Sequence, residues 1–360
     1  LLMWKILGVQ SVGAVRTFPI FLILFVKLLC VLLSYQLTKI SNLSKESKIL
    51  FFTIFTSILI SMSNYTFLGA SYYMSDKDIY IILFLIFFIE LFIHSKFRSL
   101  FIILICLIAT ISVLLQIDKG AYINFILAFY CLYLLFAKKY KDVLLIFFSL
   151  IICWVIAINL IGFDEFKAFL NNTKTMALTG ELMHGIKFPQ PFFSMGTNSD
   201  GARATRALLL QLTAGLFILN YLISNKNKIS SSKKVFFIFL FLLSFIMYKN
   251  ALGRSDGAHI RDSHDIPILI NVFFILNYLL IFFEKKVFVK KFFSYKTFVS
   301  LSIFFLIFYY IFNHNNYQID NIKNYKRNFA NFINLEDEVF LDQNTIKLIN
   351  HYKQLSEEDG

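Results

Sequence analysis

The chain has 360 residues, 58% of them hydrophobic and only 16% charged, with a net charge of +13 and a mean hydropathy of +0.68. A soluble domain of this length needs far more charge on its surface, so a water-soluble globular fold is excluded. The positive charge first suggests nucleic acid, but its placement along the chain points elsewhere.

In chain order, apolar runs predict membrane helices at about 18–38, 48–63, 78–95, 98–116, 121–137, 142–162, 205–224, 234–249, 267–283 and 296–313. Their length matches a bilayer core of about 30 Å. The two-residue alternation of a membrane barrel is missing. The expected architecture is an all-α polytopic membrane protein with about ten transmembrane helices over 1–313. An extracytoplasmic tail follows at 314–360, the start of a small α/β outer domain. The chain opens at Leu1 with no visible signal peptide and closes on "QLSEEDG" without a helix cap. A piece of a longer protein, cut at one or both ends, is expected. Cys30, Cys106, Cys131 and Cys153 lie within apolar runs without CxxC spacing or His neighbours, and read as small buried residues.

Sorting the loops alternately gives the orientation. One set carries Lys39, Lys45, Lys48, Lys96, Arg98, Lys138, Lys139, Lys141, Lys226, Lys228, Lys233, Lys234, Lys285, Lys286, Lys290, Lys291 and Lys296 against Glu46, Asp142 and Glu284. The positive-inside rule assigns that set to the cytoplasm. It absorbs much of the net charge and removes the need for nucleic acid. The acidic loops then face outward, where the unusual chemistry also lies. Lys27 and Glu90 are charges inside predicted spans, within reach of helix ends. No GxxxxGK[ST] loop is present.

The first outward loop, "SNYTFLGASYYMSDKD", ends in Asp76 and Asp78. Such a pair can accept protons, bind sugar hydroxyls or hold a metal; Asp78 is equally well placed to cap the next helix. "QIDKG" sets Asp118 and Lys119 in a tight turn that Gly120 permits, either an ordinary hairpin or a site for a charged head group. In the long 163–205 loop, Phe163, Phe166, Phe169 and Leu170, then Met176, Leu178, Leu182 and Met183, predict one or two amphipathic helices on the outer surface. Prolines and glycines interrupt the helical pattern beyond Met183. Ser199 or Asp200 then opens the next span, with Arg203 and Arg206 one turn apart at its start. Backbone amides, dipole and guanidinium groups converge there, an anion site or a pair of arginines reaching for lipid head groups.

The densest stretch is "NALGRSDGAHIRDSHD", 250–265. Gly253 and Gly257 suggest a loop that folds back into the bundle. Asp256 and His259 suit acid–base work, and Arg254 and Arg261 suit phosphate binding; a solvated, self-paired loop is the plainer reading. His259 and His264 with nearby carboxylates leave a divalent metal open, at a spacing that matches no standard signature. No other cofactor is called for.

The polytopic core, acidic outward loops, surface helices and outer tail together resemble the GT-C superfamily of membrane glycosyltransferases, which includes arabinosyl- and mannosyltransferase-like enzymes. "MSDKD" is similar to the modified acidic pair of that family's outer loops, and "ALGRSDGAHI" to a loop of bacterial members. In the family the catalytic acid usually sits in the first outer loop, near the N-terminus, and would be missing if the chain lacks its beginning. The resemblance implies a multi-pass protein of a bacterial inner membrane, active outward, taking a polyprenyl-phosphate-linked sugar as donor. The acceptor would be a glycan, lipid or protein, with an Asp as general base and Arg or Lys on the leaving phosphate. The alternatives are an O-antigen polymerase or ligase type using polyprenyl-diphosphate sugars, suited by Arg254, His259 and Arg261, and a multi-span transporter. A transporter should show internal repeats or polar and broken spans, and neither is evident in the sequence.

Overall fold

The structure, a computed structural model, describes residues 12–62, 78–93, 96–184, 200–224, 231–252, 260, 263–285 and 347. The chain divides into two compact units, one of Leu1–Phe25 with Phe304–Gly360 and one of Val26–Ile303. Of the first unit, helical backbone at 12–25, the half-buried Leu22, the exposed Leu24 and Phe25, and the exposed, helical Lys347 are described. The expected outer tail, Lys347 apart, and the tenth expected span lie outside the described residues.

All the regular elements among the described residues are helices. They are α1 (Val12–Ile40), α2 (Lys45–Met62), α3 (Ile79–Ile93), α4 (Arg98–Leu115), α5 (Ile117–Phe136), α6 (Tyr140–Ile161), α7 (Phe163–His184), α8 (Asp200–Ser224), α9 (Ser231–Leu252) and α10 (Asp265–Lys285). Six of them, α4, α5, α6, α8, α9 and α10, are long and apolar enough to cross a membrane. At 1.5 Å per residue, the 22 residues of α6 reach about 33 Å. The chain is a multi-pass helical membrane protein.

Within the larger unit, α3 is the most enclosed helix. Ten of its fifteen residues are buried, from Ile79 to Leu91. It packs with α4, α5 and α9, and α4 in turn carries α6. A second group is formed by α8, α9, α10 and α2. The two groups share α9. Phe88 of α3 sits 5.2 Å from Tyr130 of α5 and 5.8 Å from Phe239 of α9, ring centre to ring centre. Phe237 of α9 meets Phe274 of α10 at 5.0 Å, and Phe51 of α2 meets Phe273 at 5.4 Å. Interlocked aromatic rings thus supply the dispersion contacts that hydrocarbon solvent cannot supply differentially. By contrast α6 buries only Ile146 and Ser149, and Leu144, Phe147, Phe148, Ile151, Ile152, Val155 and Ile156 leave it an exposed apolar face for lipid.

The lysine-rich end is more than a row of anchors. Arg98 donates to Asp142 at 2.7 Å, to the Tyr130 hydroxyl at 2.7 Å and to the Leu91 carbonyl at 2.9 Å, fastening α3, α4, α5 and α6 together. Lys39 pairs with Glu90 at 3.1 Å. Lys233 donates to the Ile40 carbonyl and Asn42, and the Ser44 amide donates to Glu284. These bonds tie the α1–α2 turn to the ends of α9 and α10. Among the cysteines, all free, Cys30 and Cys106 are buried and Cys131 and Cys153 half-buried.

Candidate functional site

At the opposite, acidic end, packing brings together residues that lie far apart in sequence. Asp78 immediately precedes α3, and Lys119 lies in the first turn of α5. Lys119 Nζ stands 3.0 Å from Asp78 Oδ1, and both side chains are 2% exposed. Lys119 points inward because it begins the buried stripe of α5, continued by Tyr122, Ile123, Ile126, Leu127, Tyr130 and Leu134. Those positions recur at three and four residues, the period of one helix face. A lysine on that stripe requires an acid opposite it, since an unpaired charge there is very costly.

Asp118, one residue earlier, is exposed. The expected acid–base couple of Asp118 and Lys119 is therefore split between solvent and core. The expected turn also differs. Gln116 alone links α4 to α5, and Gly120 is helical. Its lack of a side chain serves close approach instead: a Cβ there would lie 2.4 Å from Val113 N and 2.7 Å from Ser112 C. The helices meet backbone to backbone. Asn124 reinforces the crossing, donating to the Ala109 carbonyl at 2.9 Å and to Gly120 O at 2.8 Å.

One turn beyond Lys119, the Tyr122 hydroxyl accepts from Asn250 Nδ2 near the end of α9. Two residues before Asn250, Tyr248 packs with Ala207 of α8 and with Ile260. Ala207 lies one turn past Arg203, which is half-buried, and directly after Arg206, which is exposed. Ile260 belongs to the polar segment 250–265 and is 1% exposed. Ser263, His264 and Asp265 are likewise buried, and Ser263 Oγ donates to the Ile260 carbonyl at 2.6 Å. A polar layer at this end of the bundle therefore holds two clusters, Asp78, Lys119 and Tyr122 with the exposed Asn250, and Tyr248 with Ala207 and Ile260 beside the start of α10. Arg203 and Arg206 border it. Asp76, Arg254, Asp256, His259 and Arg261 lie outside the described residues.

The sequence did not single out Tyr122 and Tyr248 as members of this layer, whereas the buried His264 and Asp265 belong to the 250–265 stretch that it did single out. Tyr122 carried a usable signal, its three-residue offset from Lys119. Sequence reasoning also missed a second polar feature, deeper in the bundle. Gln211 of α8 accepts from Ser244 of α9, and both are buried. Asn271 of α10 donates to the Leu210 carbonyl and the Thr213 hydroxyl, each at 3.1 Å. Buried Gln211 Nε2, Asn271 Oδ1 and Asn277 Oδ1 find no hydrogen-bond partner among the described residues. This polar seam between α8, α9 and α10 contradicts the reading of spans without interior polar groups.

The layer can do three things chemically. It holds paired opposite charges away from water, it offers tyrosine and amide groups for hydroxyl recognition, and it sets arginines beside a helix N-terminus. Comparison of the chain with protein-family models, with curated proteins and with solved structures gives no match.

Proposed function

We propose that this chain is an outward-acting membrane glycosyltransferase of the GT-C kind, with ten spans, the tenth at 296–313. It takes a sugar from a polyprenyl-phosphate donor and passes it to an acceptor at the outer face of a bacterial inner membrane. The observation that carries the reading is the polar layer at the acidic end, anchored on the Asp78–Lys119 pair. Chemistry gathered at one end of an apolar bundle suits a donor whose tail lies in lipid and whose head lies at the surface. In this reading Arg203 and Arg206, with Arg254 and Arg261, hold the phosphate. An outward carboxylate among Asp76, Asp78, Asp118 and Asp256 takes the acceptor proton. Lys119 neutralises Asp78 until substrate enters, and His259 serves as a further acid–base group. A divalent metal held by His259, His264 and a nearby carboxylate is tested by adding a chelator to the transfer assay.

The polar seam favours a second reading, transport of a polar solute. Spans of transporters carry polar groups in their interior, and Gln211, Ser244, Asn271 and Asn277 are such groups.

The deciding experiment measures radiolabelled sugar transfer in membranes carrying the full-length protein, with polyprenyl-phosphate and polyprenyl-diphosphate donors in parallel. Asp76→Asn, Asp118→Asn, Arg254→Ala and Asp256→Asn are compared at equal expression. Transfer from the monophosphate donor that collapses in a carboxylate variant supports the first reading. Transfer only from the diphosphate donor, lost in Arg254→Ala, points to a polymerase-type enzyme. No transfer from either, with solute uptake lost in Gln211→Leu, points to transport.

A further inference from the structure

The helix α7 has a two-sided pattern that the proposed chemistry does not use. Gly162, at φ +103°, turns the chain sharply after α6. This backbone conformation suits glycine, which carries no Cβ to clash. The first turns of α7 then come back onto the flank of α6, where Phe166 lies 5.7 Å from Trp154, ring centre to ring centre. Phe166, Phe169 and Thr173 are half-buried and recur at the helical period, so they form the packed side.

Next to that side, Phe163, Lys167, Leu170, Lys174 and Leu178 succeed one another at spacings of four, three, four and four residues, along one edge of the helix. Phe163 is 70% exposed, Leu170 50% and Leu178 71%. The far side holds Asp164, Ala168, Asn172, Thr175 and Thr179. On α6 itself, Ile151, Ile152, Val155 and Ile156 are all exposed. On a helix that crosses a bilayer those residues face hydrocarbon.

We infer that α7 lies in the interface of the lipid leaflet bordering the acidic end of the bundle, with its Phe163–Leu178 edge seated among lipid head groups. Three observations converge on lipid as the partner. The exposed apolar edge belongs to a helix packed against α6, whose own exposed side chains at 151, 152, 155 and 156 are all aliphatic. The Trp154 contact holds the helix down against α6 rather than projecting it into water. The edge alternates apolar residues with lysines, whose aliphatic stems can lie along the apolar surface while the ammonium groups meet phosphate. Aromatic residues at this level match the enrichment of Trp and its relatives at the membrane–water boundary.

The test uses the full chain in proteoliposomes of phosphatidylcholine and phosphatidylglycerol. Cys30, Cys106, Cys131 and Cys153 are replaced by alanine, and single cysteines are placed by Leu170→Cys, Phe163→Cys, Asn172→Cys and Thr175→Cys. Each is labelled with a nitroxide. Collision with dissolved oxygen, which partitions into lipid, is compared with collision with a water-soluble nickel chelate. Labels at 163 and 170 should favour oxygen several-fold, and labels at 172 and 175 the chelate. All four favouring the chelate would overturn the inference in favour of a helix in water. Labels at 163 and 170 shielded from both reagents would overturn it in favour of a protein cover, from this chain or a second copy. Lys167→Glu with Lys174→Glu should draw the label at 170 toward water. An unchanged depth would remove the phosphate contact from the account.

Discussion

The Asp78–Lys119 pair gives the sharpest test, because its two members fail differently alone and together. At 3.0 Å and an effective dielectric of about 20, the attraction between the charges is roughly 5 kcal/mol. Taking each ion out of water costs several kcal/mol, so the intact pair contributes little net stability. Removing one partner leaves the other buried and uncompensated, at a cost of about 3–5 kcal/mol. Asp78→Asn and Lys119→Met should each lose that much. The double variant should cost far less than their sum, giving a coupling of about 2–4 kcal/mol. The assay is titration from mixed micelles into SDS, following helix loss by circular dichroism, on the wild type, both single variants and the double variant. Single losses under about 1 kcal/mol that simply add would refute the buried pair. The same four proteins separate structure from chemistry. If Asp78 takes the acceptor proton, the double variant folds yet transfers no sugar. If transfer returns with the fold, the pair is a brace and the chemistry belongs to Asp76, Asp118 or Asp256.

Three further outcomes rest on the packing. Gly120→Ala drives a methyl into the backbone of Val113 and Ser112, fixed atoms that cannot rotate aside, and should lower stability by about 2–3 kcal/mol in the same SDS titration. Arg98→Ala removes three hydrogen bonds joining α3, α5 and α6 at the lysine-rich end; a loss of about 2–3 kcal/mol is expected, and Arg98→Lys should recover only part of it because lysine lacks the planar fork. Gln211→Leu removes a buried amide nitrogen that has no partner among the described residues, so SDS resistance should change by less than about 1 kcal/mol. A large loss there would mean that the seam is a structural element rather than a tolerated polar one.

Helices were legible because long apolar runs suit a bilayer: nine of the ten expected runs coincide with helices, α1 to α6 and α8 to α10, and six of these helices are long and apolar enough to cross a membrane. The α7 helix was legible too, from the helical spacing of Phe163, Phe166, Phe169 and Leu170, and the structure makes one helix of what allowed two. The site was legible only in pieces. Asp78 and Lys119 each stood out as polar groups beside a span, yet 41 positions separate them, and only the packing of α3 against α5 makes them partners. The direction of Lys119 was nonetheless written in the chain, since it falls in step with Tyr122, Ile126 and Tyr130 on one helical face. Reading "QIDKG" as a turn concealed that periodicity, because it treated Gly120 as conformationally necessary when its role is to let two backbones touch. The seam was hidden by a different cause. A hydropathy window averages one glutamine over some twenty neighbours, so Gln211 in "ALLLQLTAGLF" reads as a blemish in an apolar run. Its position carries the information that the average discards. It lies in register with Ala204, Ala207 and Ala214, small residues that allow close helix approach. A polar group on a small-residue face of a membrane helix is turned toward protein, where an amide needs a partner. That placement supplies a reason to look for Ser244 opposite, and it identifies Asn271 and Asn277 of α10 as the next residues to examine for a polar passage through the bundle.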